Sequence, residues 1–245
     1  MTAQRERLVA LEGAFNFRDL GGYPLSGGGE TRWGRCYRSD GLQSLTPADV
    51  AELATRQVAT VIDLRSDSEL DRWGRGPLRD EAVRWEHCAI IRTDGGESVA
   101  APDTDDLAAR YSWYLQVGAS GVLRALNLLA ERGVTPAVFH CAAGKDRTGV
   151  LAALLLDAVG VERAAIVEDY VETSVHLPGI LERLVANPPP GYVPVPASRL
   201  TVVASTMERF LDRLHADFGG AAGWMTASGG DPALPQRLGE LLAED

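Results

Sequence analysis

Apolar positions along this chain fall into two patterns. Val58–Leu64 (VATVIDL) and Pro136–His140 (PAVFH) are short apolar runs without alternation, as expected of strands covered on both faces in a parallel sheet. Residues 31–37 and 83–91 predict two further strands. Between these runs the apolar spacing becomes helical. Thr46-Pro47-Ala48-Asp49 reads as a helix start, with a capping hydroxyl, proline at the first position and an acid behind it. Thr104 and Ser120 are expected to cap helices over 105–117 and 121–132, and further helices are expected over 148–159, 162–173 and 201–217, with a short one near the C-terminus. The glycine-rich stretch 21–34 predicts a turn or hairpin loop, whereas NPPPGYVPVP (187–196) excludes regular structure and suits a surface connector or part of a lid. Strands alternating with helices predict an α/β fold around a mainly parallel central sheet, with residues 1–245 forming one domain.

Composition narrows the function. The chain has 245 residues, 45% of them apolar, enough to bury a core without covalent staples. With 34 acidic against 24 basic side chains and a net charge of −10, its average surface repels nucleic acid and anionic membranes, so no nucleic-acid partner is expected. Cys36, Cys88 and Cys141 are too few for a disulfide framework. MTAQRERLVALEG has no apolar segment of signal-peptide length, and the longest apolar stretch, Val150 to Val161, contains Asp157 and is too short to span a bilayer. A soluble, cytoplasmic chain is expected, with no cofactor; its oligomeric state is left open.

One count directs attention to a single window. Of the 24 basic residues, 23 are arginine and one, Lys145, is lysine, and that lysine lies in HCAAGKDRTG (His140–Gly149). Lysine is a compact point charge and arginine a planar fork, so a site needing one does not freely accept the other. The window joins a predicted strand to a predicted helix, whose first turn presents unpaired N–H groups and partial positive charge. Ala142, Ala143 and Gly144 are small enough to let those N–H groups close around a phosphate-like anion. Arg147 supplies a bidentate fork for phosphate oxygens, and Cys141 sits in a field that favours thiolate. A thiolate beneath a phosphate cradle is an in-line nucleophile. The window is not a Walker loop, because no Ser or Thr follows Lys145.

HCAAGKDRTG, together with NFRDLGG (Asn16–Gly22), YRSDGL (Tyr37–Leu42), Leu45–Thr46 and VIDLRS (Val61–Ser66), resembles the atypical bacterial tyrosine and dual- or triple-specificity phosphatases. The resemblance implies a protein-tyrosine-phosphatase-like fold and metal-free hydrolysis of phosphotyrosine, with phosphoserine, phosphothreonine and phosphoinositides as further substrate classes. It implies Cys141 as nucleophile, Arg147 as phosphate clamp, His140 as support for loop and thiolate, Thr148 as a donor to the sulfur, and Lys145 as an extra cation for anionic substrates. Asp146 matches the family's proposed general acid, since no Trp-Pro-Asp occurs here; Asp63 is the second candidate and Asp103 the third. Family members are also described with a mobile helical lid, for which residues 173–196 are the candidate, left open by the sequence.

Competing readings are weaker. Cys36 and Cys88 read as packing residues, with a redox partnership to Cys141 as the sharper alternative. His87–Cys88 and His140–Cys141 lack the paired spacing of structural zinc ligands. Arg18 and Asp19 read as structural. Arg38 and Arg65 suit either the positive rim of a pocket or surface ion pairs. A phospho-ligand-binding module without turnover, or a rhodanese-type sulfurtransferase, would also use a cysteine loop, but neither requires Cys141, Arg147 and candidate acids together.

Overall fold

The computed structural model describes residues 6–91, 101–186 and 200–244. The central sheet has the order β1-β3-β6-β4-β5, formed by Arg18–Asp19 (β1), Cys36–Ser39 (β3), Thr60–Asp63 (β4), Arg84–His87 (β5) and Ala137–His140 (β6). Only β1 runs antiparallel to its neighbour; β3, β6, β4 and β5 are parallel. A separate two-stranded ribbon pairs Glu30–Thr31 (β2) with Ala243–Glu244 (β7). The expected strand over 31–37 is thus corrected to Cys36–Ser39. Thr31 belongs to the ribbon, and Gly34, at φ +72°, turns the chain between the two.

β6 is the central strand and is buried throughout. Val138 and Val61 face one apolar cluster, with Phe17, Tyr37 and Leu53 of helix Pro47–Thr55 (α1). Ala137, Phe139 and Ile62 face the other, larger cluster. That cluster is built by helices Leu107–Val117 (α3), Ala119–Leu129 (α4), Asp146–Ala158 (α5), Arg163–Ala186 (α6), Ala204–Phe218 (α7), Ala221–Ala227 (α8) and Leu234–Leu242 (α9). Alternation on strands covered from both sides explains why β4 and β6 read as unbroken apolar runs. Because β6 lies between β3 and β4, its C-terminal end opens at a topological switch point, where α/β sheets place ligands.

Several helix boundaries differ from the sequence reading. Thr46 caps α1 with a reciprocal box to Asp49, as expected. Thr104 does not cap α3: Asp106 does, accepting from the Ala108 N–H, while Thr104 Oγ1 accepts from the Asp106 N–H. Ser120 lies inside α4, which starts one residue earlier. A helix over Asp67–Trp73 (α2), capped by Ser66 and Glu69, was not anticipated. α6 passes Thr173 and continues through Pro178 to Ala186, because Leu177 and Ile180 remain buried and Arg183 is tied to Asp40 Oδ2 (2.6 Å) and Gly13 O (2.7 Å). Residues 173–186 of the lid candidate therefore continue a packed helix, and 187–196 lie outside the described residues. The C-terminal helices α7 to α9 bury Phe210, Trp224 and Leu238 in the core.

A buried carboxylate ties these layers together. Asp169 of α6 accepts from Arg18 Nε (2.8 Å), from the Arg38 guanidinium and from the Tyr23 hydroxyl (3.0 Å). Arg18 also donates to Asp169 O (2.6 Å) and to the Asn16 side chain. Arg38 and Arg65 are fully buried, which excludes both from a surface rim. Burial opposes ionisation of Asp169, yet Arg18 and Arg38 outweigh it and hold the carboxyl at about 2. Asp169→Asn should therefore leave two buried guanidiniums without a counter-charge and cost about 3–5 kcal/mol of stability. Urea denaturation checks this; a loss below about 1 kcal/mol, the range of exposed pairs, would contradict it.

Candidate active site

The loop between β6 and α5 is shaped from behind. Arg38 Nη2 donates to Gly144 O (2.7 Å), joined by Asn16 Nδ2 (3.3 Å), and the Gly41 N–H donates to Ala142 O (3.1 Å). In a trans peptide the carbonyl and the next N–H point opposite ways, so these bonds turn the Ala143 and Lys145 N–H groups to the loop's other face. Gly144 has φ +65°, and a Cβ there would lie 2.6 Å from both Asp40 N and Ser39 O. Only glycine fits this position. α5 begins at Asp146 without a side-chain cap, leaving its first N–H groups available to an anion.

Cys141 lies at the base of this loop, 2% exposed. Arg147, on the first turn of α5, is held by Glu69 of α2 through two bonds, Nη1 to Oε2 (2.5 Å) and Nη2 to Oε1 (2.8 Å). Burial opposes the Arg147 charge, but Glu69 and then Cys141 hold it well above the usual arginine range. Burial likewise disfavours the Glu69 carboxylate, yet Arg147 and the capping contacts bring it down to about 2. A guanidinium has five N–H donors, so two bonds to Glu69 leave three for another ligand. Glu69 therefore fixes the plane of the fork without consuming it. Glu69 thus serves twice, closing the capping box with Ser66 and orienting Arg147, and the sequence reading missed both roles.

The flanking residues are equally constrained. His140 is fully buried, with Nδ1 3.1 Å from the Cys141 carbonyl. Since a carbonyl only accepts, Nδ1 carries the proton. Burial lowers His140 to about 4 despite nearby Asp63, so the ring is neutral at pH 7. Thr148 Oγ1 is buried without a hydrogen-bond partner among the described residues. Such an orphan hydroxyl is costly unless a ligand or reacting group meets it.

The candidate acids separate clearly. Asp63 is fully buried, and both of its oxygens accept from Arg65 (Nε to Oδ1 2.9 Å, Nη2 to Oδ2 2.6 Å). Burial raises its proton affinity, but His140 and Arg65 outweigh this and leave it below the usual carboxylate range. It is a structural anion of the strand end. Asp103 is exposed ahead of α3. Asp146 lies on the loop itself, 29% exposed, accepting at Oδ1 from the Tyr111 hydroxyl (2.7 Å) with Lys145 Nζ 3.3 Å away. Lys145 is nearly buried beside Asp146. Tyr111 and its partner Tyr170 were invisible to sequence reading, because aromatic residues at helical spacing look like ordinary core.

Cys36 and Cys88 are buried thiols; burial pushes Cys36 up and Cys88 up to about 12. Both therefore stay protonated and pack as apolar groups. Among the described residues, no group of three His, Cys, Asp or Glu side chains is placed to hold a metal ion, and no helix is long and apolar enough to cross a membrane.

The chain is similar to several known proteins. Triple specificity protein phosphatase PtpB of Mycobacterium tuberculosis is 33% identical over 203 residues, covering 71% of this chain and 72% of that one. A tyrosine-protein phosphatase of Nostoc commune is 28% identical over 216 residues, covering 84% and 74%. Among solved structures, the Siw14 catalytic core is 14% identical with a TM-score of 0.40, covering 69% of this chain and 79% of that one. TpbA of P. aeruginosa in complex with pTyr is 24% identical with a TM-score of 0.30, covering 56% and 67%. Likenesses this remote carry no argument about the present chain. The profile of the tyrosine phosphatase family matches residues 9–244, nearly the whole length. On that match, and on its similarity to these phosphatases, the chain belongs to the tyrosine phosphatase family of phosphoric monoester hydrolases.

Proposed function

We propose that this protein hydrolyses phosphotyrosine monoesters through a phosphocysteine intermediate, with phosphoserine, phosphothreonine and phosphoinositide headgroups as further substrates. The observation that carries the reading is the common placement of Cys141, the outward-bonded loop and the oriented Arg147 fork at the end of β6. The phosphoryl group sits in the loop, its oxygens bound by loop N–H groups, including those of Ala143 and Lys145, and by the Arg147 donors that Glu69 leaves open. Cys141 attacks phosphorus in line as the ester oxygen departs. Asp146 gives that oxygen its proton, then takes one from the water that attacks the phosphocysteine as the P–S bond breaks. Thr148 Oγ1, which has no other partner among the described residues, donates to the sulfur as it leaves. His140, neutral and bonded to the Cys141 carbonyl, keeps the peptide in place. Lys145 adds positive charge beside the cradle, which suits multiply anionic substrates.

The direct test is phosphate release from p-nitrophenyl phosphate in chelator-treated buffer, with vanadate as inhibitor. Cys141→Ser should abolish turnover while phosphate-ester binding persists, because serine is a far weaker nucleophile at neutral pH. Residual turnover in this variant, with contaminants excluded, would reject the covalent route. Arg147→Lys keeps charge but loses the fork, and kcat/KM should fall more than tenfold (~1.4 kcal/mol). A smaller fall would contradict the clamp. Asp146→Asn should barely slow phosphorylation of the enzyme by p-nitrophenyl phosphate but strongly slow that by phenyl phosphate, whose leaving oxygen needs the proton. Equal effects, measured as formation of the phosphoenzyme, would place the acid elsewhere.

A further inference from the structure

The loop carboxyl is not held by the loop alone. Tyr111, on α3, is fully buried and packs edge-on against Tyr170 (6.1 Å between centroids) and Phe210 (5.9 Å). Its hydroxyl is 2.7 Å from Asp146 Oδ1 and 2.8 Å from the Tyr170 hydroxyl. An ionised carboxylate only accepts, so Tyr111 donates to Asp146 and receives the Tyr170 proton donor in turn. The chain of donors runs one way, from α6 through α3 to the loop. Lys145 Nζ approaches the same oxygen at 3.3 Å, while Oδ2 has no partner among the described residues.

We propose that Tyr111 is a positioning residue for the acid–base carboxyl, confining its exchangeable proton to Oδ2 and locking that oxygen toward the substrate. The proposal rests on the reading of Asp146 as the acid. With Oδ1 accepting from Tyr111 and facing the Lys145 ammonium, protonation occurs at Oδ2. That proton passes to the leaving ester oxygen as the P–O bond breaks and Cys141 Sγ bonds to phosphorus. The carboxylate so formed takes a proton at Oδ2 from the attacking water, whose oxygen bonds to phosphorus as the P–S bond breaks. Tyr111 holds the same rotamer through both steps. Burial, followed by proximity to Asp146, keeps the Tyr111 phenol protonated far above neutral pH, so the donor persists across the working range.

The groups facing the Asp146 carboxyl are Lys145 from the loop, Tyr111 and Tyr114 from α3, and Tyr170 from α6; Arg147 follows on α5. Removing one donor to the ionised form weakens that form, so the carboxyl of Tyr111→Phe should lose its proton at higher pH. The alkaline limb of kcat/KM for phenyl phosphate should move up by about half a unit to one unit. The rate of phosphoenzyme formation from phenyl phosphate should fall about tenfold further than that from p-nitrophenyl phosphate, through misplacement of the acid. Vanadate affinity should change less than about twofold, because the anion cradle is untouched. Tyr170→Phe, which keeps the Tyr111 hydroxyl but frees it to rotate, should show the same trends more weakly.

A tyrosine serving only to fill the core predicts an unmoved pH limb and equal losses on both substrates, and that result would overturn the proposal. Asp146→Asn measured in parallel separates the two failures. If Asp146→Asn steepens leaving-group dependence and Tyr111→Phe does not, positioning by Tyr111 is rejected while the acid stands. If Asp146→Asn leaves both the limb and the leaving-group dependence intact, the acid assignment fails and this proposal falls with it.

Discussion

Two guanidiniums share one buried carboxylate beneath the loop between β6 and α5, and the rest of the architecture follows from that arrangement. Asp169 comes from α6, Arg18 from β1 and Arg38 from β3, so three distant segments must meet before any of the charges is compensated. Buried charges without partners are so costly that this meeting strongly selects one arrangement of these segments over alternatives. Arg38 also donates through Nη2 to the Gly144 carbonyl, transmitting the position of α6 to the turn of the loop. Arg183 and Asp40 repeat the device further along α6, pinning the N-terminal segment against the same helix.

The same network answers an electrostatic problem. A chain with net charge −10 has to bind a dianionic ester. Two arginines against one aspartate leave an excess of positive charge just behind the loop, met in part by Glu172 at 3.9 Å from Arg18. Arg147 and Lys145 supply the cations on the loop itself, each tempered by a carboxylate, Glu69 and Asp146. Neutral His140 avoids adding a proton where Arg147 already provides charge. Over short distances in a low-dielectric site these local charges outweigh the screened field of a distant acidic surface.

The sequence made the centre of this protein legible and left its surroundings dark, for physical reasons. VATVIDL and PAVFH announce buried parallel strands because both faces must be apolar, and HCAAGKDRTG couples small residues, a thiol and a fork at one strand-to-helix junction. The strand near β3 was misplaced, because the turn at Gly34 and the pairing of Thr31 with Ala243 depend on a contact across more than two hundred residues. Sequence alone places Arg38 and Arg65 at a pocket rim or in surface ion pairs, since only the fold supplies Asp169 and Asp63 as their buried partners. Its place at a strand end makes Asp63 an alternative acid on sequence, and only the fold shows both of its oxygens accepting from Arg65. Glu69, Tyr111 and Tyr170 act through contacts between elements, to which local pattern is blind.

Everything in this account converges on a transient bond between Cys141 sulfur and phosphorus. The most direct measurement is rapid acid quench of the protein during turnover of p-nitrophenyl phosphate, followed by mass mapping of the peptides. The account predicts a phosphoryl group on the Cys141 peptide alone, appearing at the rate of the p-nitrophenol burst and decaying with hydrolysis. Burst kinetics with the phosphoryl group on any other residue would contradict it.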